Sequence, residues 1–132
     1  MASLADWTNG IGGNIRTLEC RTRRLDDLVE ERKLGIPQFI KCDVEGAELA
    51  VFRGGINTLN REEAPVIMFE LNARAATGFG WLVEDYLGFL ESLTPAGYKF
   101  FEVFPDGLKE LARRDIEYAN LVAVPRTKQN FV

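Results

Sequence analysis

The chain has 132 residues, 46% of them hydrophobic, with a formal net charge of −4. That length and composition suit one globular domain with its own core, and the acidic balance argues against nucleic acid as the main partner, which calls for a basic patch. There is no histidine, which excludes Ser-His-Asp and Cys-His catalysis and the usual zinc ligands, and leaves acid–base chemistry to carboxylates, Lys, Tyr or Cys.

Residues 1–14 are small, polar and glycine-rich and read as a flexible N-terminal segment of a single domain spanning 1–132. Gly10-Ile11-Gly12-Gly13-Asn14 invites reading as a phosphate loop, but such a loop must follow a strand and open a helix. No strand pattern precedes it, and Ile15 to Arg23 alternates like a half-exposed strand after it. Arg21, Arg23 and Arg24 read as a solvated face of that strand. Leu25 to Leu34 predicts a helix with Leu25, Leu28 and Val29 on one face and Gly35 as its stop.

Phe39 to Cys42 is a short apolar run, the mark of a buried central strand. Ala47 to Asn60 is helical in pattern, interrupted at Gly54-Gly55, with Leu49, Phe52, Ile56 and Leu59 as the stripe that packs on a sheet. Val66 to Phe69 is the next buried strand, ending at Glu70-Leu71-Asn72, and Ala73 to Gly80 reads as a binding loop or lid. Trp81 to Leu93 is amphipathic, with Leu82, Tyr86, Phe89, Leu90 and Leu93 as core, and Pro95 and Gly97 stop it. Tyr98 to Phe104 predicts a strand, Pro105-Asp106-Gly107 a turn, Leu108 to Arg113 a short helix, Tyr118 to Val124 the last strand and Thr127 to Val132 a frayed tail. Cys20 and Cys42 fit no zinc, redox or disulfide spacing. No apolar run is long enough to span a bilayer, and the N-terminus lacks a signal-peptide pattern, so the expected location is the cytoplasm.

The chemistry concentrates in one stretch, Lys41-Cys42-Asp43-Val44-Glu45-Gly46-Ala47-Glu48-Leu49. Acids stand where a strand stops and a helix starts. In open α/β sheets, ligands bind just beyond the carboxyl ends of the strands, although acids there also serve simply as helix caps. Lys41 lies two residues before Asp43 and so points to the same face, where it can pair with Asp43 or neutralise it. Asp43 and Glu70 end two strands expected to be neighbours and so face one crevice.

That stretch, with Arg53-Gly54 after it, resembles the signature of FkbM-type methyltransferases, S-adenosylmethionine-dependent enzymes that mostly methylate hydroxyls on sugars and natural products. Arg24-Leu25-Asp26-Asp27-Leu28 looks like that family's lead-in, Pro65-Val66-Ile67-Met68-Phe69-Glu70 like its next strand, and Ala119-Asn120-Leu121-Val122-Ala123-Val124-Pro125 like its closing strand. The resemblance runs from about Leu25 to Pro125 and implies an α/β fold. The implied sheet is partial and Rossmann-like (class I methyltransferase), mostly parallel with an antiparallel C-terminal strand, and carries helices on its faces. It implies Asp43 as base or acceptor-orienting residue, with Glu45 and Glu70 in the site and Lys41 and Asn72 touching substrate. A second arrangement uses magnesium on the oxygen ligands Asp43, Glu70 and Asn72, like the acids and Asn of catechol-type methyltransferases, although Leu71 separates the last two. The alternative for Glu70 and Asn72 is a helix cap or turn.

The chain departs from the family pattern in one respect. The family's fold binds S-adenosylmethionine mainly through an earlier half, with a glycine-rich loop after its first strand and an acid after its second. No strand, glycine loop and helix precede Asp43 here, so the chain reads as the C-terminal half and no cofactor-binding residue is assigned. The strand from Phe39 would then have an open, apolar edge, covered by Ile15 to Arg23 or used to pair with a second copy or a complementing chain. The expected partners are thus a small hydroxyl acceptor and such a chain, with neither nucleic acid nor membrane. The alternatives to catalysis are a non-catalytic remnant or one part of a split methyltransferase.

Overall fold

The computed structural model describes residues 18–131. The glycine-rich segment and the first three residues of the Ile15 to Arg23 strand lie outside the described residues. Residues 18–24 have no regular secondary structure, so the described part of that expected strand is not one. The ordered elements are α1 (Leu25–Glu31), β1 (Phe39–Cys42), α2 (Glu48–Gly54), α3 (Ile56–Leu59), β2 (Val66–Asn72), α4 (Ala73–Thr77), α5 (Val83–Ser92), β3 (Lys99–Phe104), β4 (Gly107–Glu110) and β5 (Tyr118–Val124), followed by a 3-10 helix, Arg126–Phe131.

The strands form one five-stranded sheet in the order β1-β2-β5-β3-β4. Only β1 and β2 pair in parallel, Phe39 opposite Val66 through Cys42 opposite Phe69. The β2–β5, β5–β3 and β3–β4 pairings are antiparallel. The expectation of a mostly parallel sheet is therefore corrected to a mixed one. The cause is the placement of β5, which inserts between β2 and β3 and runs against both, although β1, β2 and β3 share one direction.

Alternation along β2 sorts the faces. Ile67, Phe69 and Leu71 are buried, while Val66, Met68, Glu70 and Asn72 are half-buried. The buried face carries the core, where Phe69 meets Phe52 of α2 edge-on at 5.3 Å and Phe100 of β3 at 6.5 Å. Leu49, Leu59, Leu87, Leu90, Leu121 and Ala123 complete it. Burying a side chain of that size stabilises the fold by about 1.5–3 kcal/mol. Helices α2, α3, α4 and α5 all contribute side chains to this core.

Three local readings change for identifiable reasons, and a fourth holds. Leu108 to Arg113 is not a helix, because the Pro105-Asp106 turn folds the chain straight back and Gly107–Glu110 pairs with β3 from Phe104 to Phe101. Ala73 to Gly80 is not all loop, because the alanine-rich start favours a helix and the Asn72 side chain caps it, accepting from the Ala75 N–H at 3.1 Å. The tail from Arg126 is a 3-10 helix pinned to the body: Thr127 Oγ1 donates to the Glu62 carbonyl at 2.8 Å and Lys128 Nζ to the Ala64 carbonyl at 2.9 Å. The helical run from Ala47 does break at Gly54-Gly55. Its second piece is capped from a distance, since Asp26 of α1 accepts from the N–H groups of Asn57 and Thr58, both at 2.9 Å, and from Thr58 Oγ1 at 2.7 Å.

Candidate active site

β1 ends at Cys42, and the register that sets Cys42 against Phe69 brings the next residue, Asp43, beside Glu70. Strand alternation turns both away from the core-facing Cys42 and Phe69. Lys41 and Met68 share that face, and Asn120 of β5 stands opposite Glu70 on the other side. Lys41, Asp43, Met68, Glu70 and Asn120 line a notch of about 10 Å³ at this sheet end, the lower limit for one water.

The charged groups of the notch have protein partners. Lys41 Nζ donates to Asp43 Oδ2 at 2.6 Å, and that bond raises the Lys41 pKa. Tyr118, on β5 opposite Asn72, donates its hydroxyl to Glu70 Oε2 at 2.7 Å. That bond, with a smaller part from burial, raises the phenol's pKa. Asn72 spends its side-chain oxygen on the α4 cap.

Between Asp43 and α2 the chain makes a tight turn. Glu45 has φ +53° and Gly46 φ +94°. A left-handed residue with a Cβ costs about 1–2 kcal/mol, so Glu45 is held there against its preference. Gly46 is needed for space as well as conformation, since a Cβ there would stand 2.8 Å from the Ala75 carbonyl carbon and 2.9 Å from its Cβ. The Tyr86 hydroxyl of α5 donates to the Gly46 carbonyl at 2.6 Å. Burial first, then repulsion from Glu70 and Asp43, raises the Glu45 pKa. Burial, then Glu48 and Asp43, pushes the Cys42 thiol up to about 12, which keeps it protonated and unreactive.

The methyltransferase FkbM domain matches residues 3–100 of this sequence, which takes in β1, the turn, β2 and α5. The chain belongs to the FkbM methyltransferase family. Neither a curated protein nor a solved structure matches it.

The described part of this FkbM domain supports no metal. Among the described residues no three His, Cys, Asp or Glu side chains group to hold an ion. Of the magnesium ligands considered, Asp43 is paired with Lys41, Glu70 accepts from Tyr118 and Asn72 caps a helix. The notch is likewise far too small for a nucleoside. No described helix is long and apolar enough to cross a membrane.

The structure brings Lys41, Asp43 and Glu70 to one sheet end, with Glu45 in the adjoining turn, whereas the Asn72 amide faces α4. Sequence reasoning missed Tyr118 and Glu48. Tyr118 lies some fifty residues from Glu70, and only the antiparallel β2–β5 register reveals the contact. Glu48 was visible as the third acid of the motif, but its exposure of 1% was not, and that burial makes it unusual.

Proposed function

We propose that this FkbM domain takes part in methyl transfer from S-adenosylmethionine to a hydroxyl of a sugar or natural product, and that Asp43 and Glu70 hold that hydroxyl. Membership of the family supports the reaction class. One observation supports the residues: β1 and β2 are parallel neighbours whose register puts the two carboxylates side by side at the strand ends where α/β sheets bind ligands. The donor is named from the family alone, because the described residues do not close around a nucleoside, and the roles that follow concern the acceptor.

Methyl transfer needs an acceptor oxygen in line with the leaving group and an outlet for its proton. Orientation supplies much of the rate. Asp43 accepts the hydroxyl's hydrogen bond and then its proton, and Lys41 at 2.6 Å balances its charge before the proton arrives. Glu70, anchored by Tyr118, accepts from a second donor on the acceptor and fixes its rotation. Glu45, with its raised pKa, lines the turn beside them.

The test is incubation with methyl-labelled S-adenosylmethionine and a panel of monosaccharides and polyols, with product detected by mass spectrometry. The wild-type chain should give a methyl ether, and Asp43→Asn should lower its rate by about 10²-fold or more. Equal rates in wild type, Asp43→Asn and Glu70→Gln would overturn the assignment of these residues.

A second reading rests on the outer edge of β1, which pairs with nothing among the described residues, and on Phe39, which is 55% exposed there. An open apolar edge recruits another strand. On this reading a second copy or a complementing chain pairs with β1 and completes the cofactor site. Sedimentation equilibrium with calorimetric titration of S-adenosylhomocysteine tests it. A chain that binds only when associated supports it, and a folded monomer that binds contradicts it.

A further inference from the structure

Glu48 opens α2 with a carboxyl that is 1% exposed. One oxygen, Oε1, accepts from the Val44 N–H at 3.0 Å and from the Gly46 N–H at 3.4 Å. The other, Oε2, is buried without a hydrogen-bond partner among the described residues. An orphaned carboxyl oxygen is costly, so a carboxyl in this place calls for an explanation. The turn above it supplies one. Its backbone holds a left-handed glutamate, a conformation that persists only where the surroundings over-determine it and that clusters at functional sites.

We propose that Glu48 is the positioning residue of this site: from inside the fold its carboxyl ties the backbone of Val44 and Gly46, and so sets where Asp43 and Glu45 stand. Three further contacts complete the clamp. Tyr86 of α5 donates to the Gly46 carbonyl, Ala75 of α4 packs where a Gly46 side chain would be, and the Val44 side chain rests on the core. The turn is thus gripped by α2, α4 and α5, with Asp43 exposed and Glu45 half-buried at its outer side. Glu48 itself touches no reacting atom.

The neighbours of the carboxyl set the direction of its pKa. Burial is the largest influence and raises its pKa, and Glu70 of β2 raises it further. The amides of Glu48 itself, Val44 and Gly46 pull the other way without reversing the direction. The other titratable groups interacting with it are the Cys42 thiol of β1 and the Tyr86 phenol of α5, both themselves raised and neither a cation. A protonated Glu48 keeps Oε1 as acceptor for the two amides and carries its proton on Oε2. Glutamine reproduces that acceptor and alanine removes it.

The consequence for methyl transfer rests on the reading above, but the clamp does not, and the experiment separates them. Amide hydrogen exchange is followed residue by residue by NMR in wild type, Glu48→Gln, Glu48→Ala and Asp26→Ala. Asp26→Ala serves as a control that loses a different buried carboxyl, the cap of α3. In Glu48→Ala, the Val44 and Gly46 amides should exchange at least about tenfold faster relative to Asn57 and Thr58, and Glu48→Gln should restore them. Asp26→Ala should show the reverse pattern. Unchanged exchange at Val44 and Gly46 in Glu48→Ala, or identical behaviour of the Gln and Ala variants, overturns the proposal. If Glu48→Ala does not fold, Glu48→Gln decides: native protection at both amides supports the proposal, and lost protection contradicts it. Where the clamp signature is present but the wild-type chain forms no methyl ether, the positioning stands and the methyl-transfer reading fails.

Discussion

At the scale of single residues, two buried carboxyls act in opposite senses, and pH separates them. Asp26 is pushed up by burial, but the Asn57 amide and the Thr58 hydroxyl and amide outweigh that and leave its pKa lowered. Its contribution to stability is present above the unfolded aspartate value, about 3.9, and is lost as pH falls through the lower folded value. Glu48 is raised, so its contribution is full below the unfolded glutamate value, about 4.3, and is lost as pH rises through the higher folded value. Denaturant unfolding across pH should therefore show Asp26→Asn flattening the acid limb and Glu48→Gln flattening the limb above it. The thiols give a second residue-scale prediction. Cys20 is exposed and Cys42 is buried with its pKa near 12, so a thiol reagent should label Cys20 in the native protein and reach Cys42 only after denaturation.

At the scale of elements, the turn and its flanking helices are held by specific contacts whose removal has a size. Gly46→Ala forces a Cβ to 2.8 Å from the Ala75 backbone at a φ of +94° and should cost several kcal/mol, above the range of about 0.5–3 for an ordinary substitution, read as a fall in the unfolding midpoint. Asn72→Ala removes the α4 cap and should cost about 1 kcal/mol. A loss of methyl transfer in Asn72→Ala much larger than its loss of stability would mark the side chain as a substrate contact rather than a cap. The same elements delimit what the sequence disclosed. Phe39 to Cys42, Val66 to Phe69 and Tyr118 to Val124 were readable as strands because short apolar runs bounded by turn residues carry the information locally. β4 was not, because its exposed residues leave no burial signal and only the tight Pro105-Asp106 turn commits it to pair with β3. The cap of α3 by Asp26 spans thirty-one positions and has no local signature at all.

At the scale of the molecule, the sheet order explains both what was legible and what was not. The adjacency of β1 and β2 could be expected from two apolar runs joined by a helical run, and it places Asp43 beside Glu70, but β1 is an edge strand with only Cys42 buried and not the buried central strand its apolar run suggests. The insertion of β5 between β2 and β3 could not, since strand order depends on long-range pairing. Yet that insertion brings Tyr118 to Glu70 and Asn120 into the notch. A variant such as Phe69→Ala, which opens the core between Phe52 and Phe100, should cost about 3–5 kcal/mol, and in a fold this small that reaches much of the total stability.

The central claim is that methyl transfer is organised at the joined ends of β1 and β2. The most direct test is a titration of the uniformly labelled chain with S-adenosylhomocysteine, followed by backbone amide shifts. The account predicts saturable shifts concentrated on residues 43–46, 70–73 and 118–120. Saturable binding that leaves those amides unmoved and perturbs another part of the molecule would contradict it.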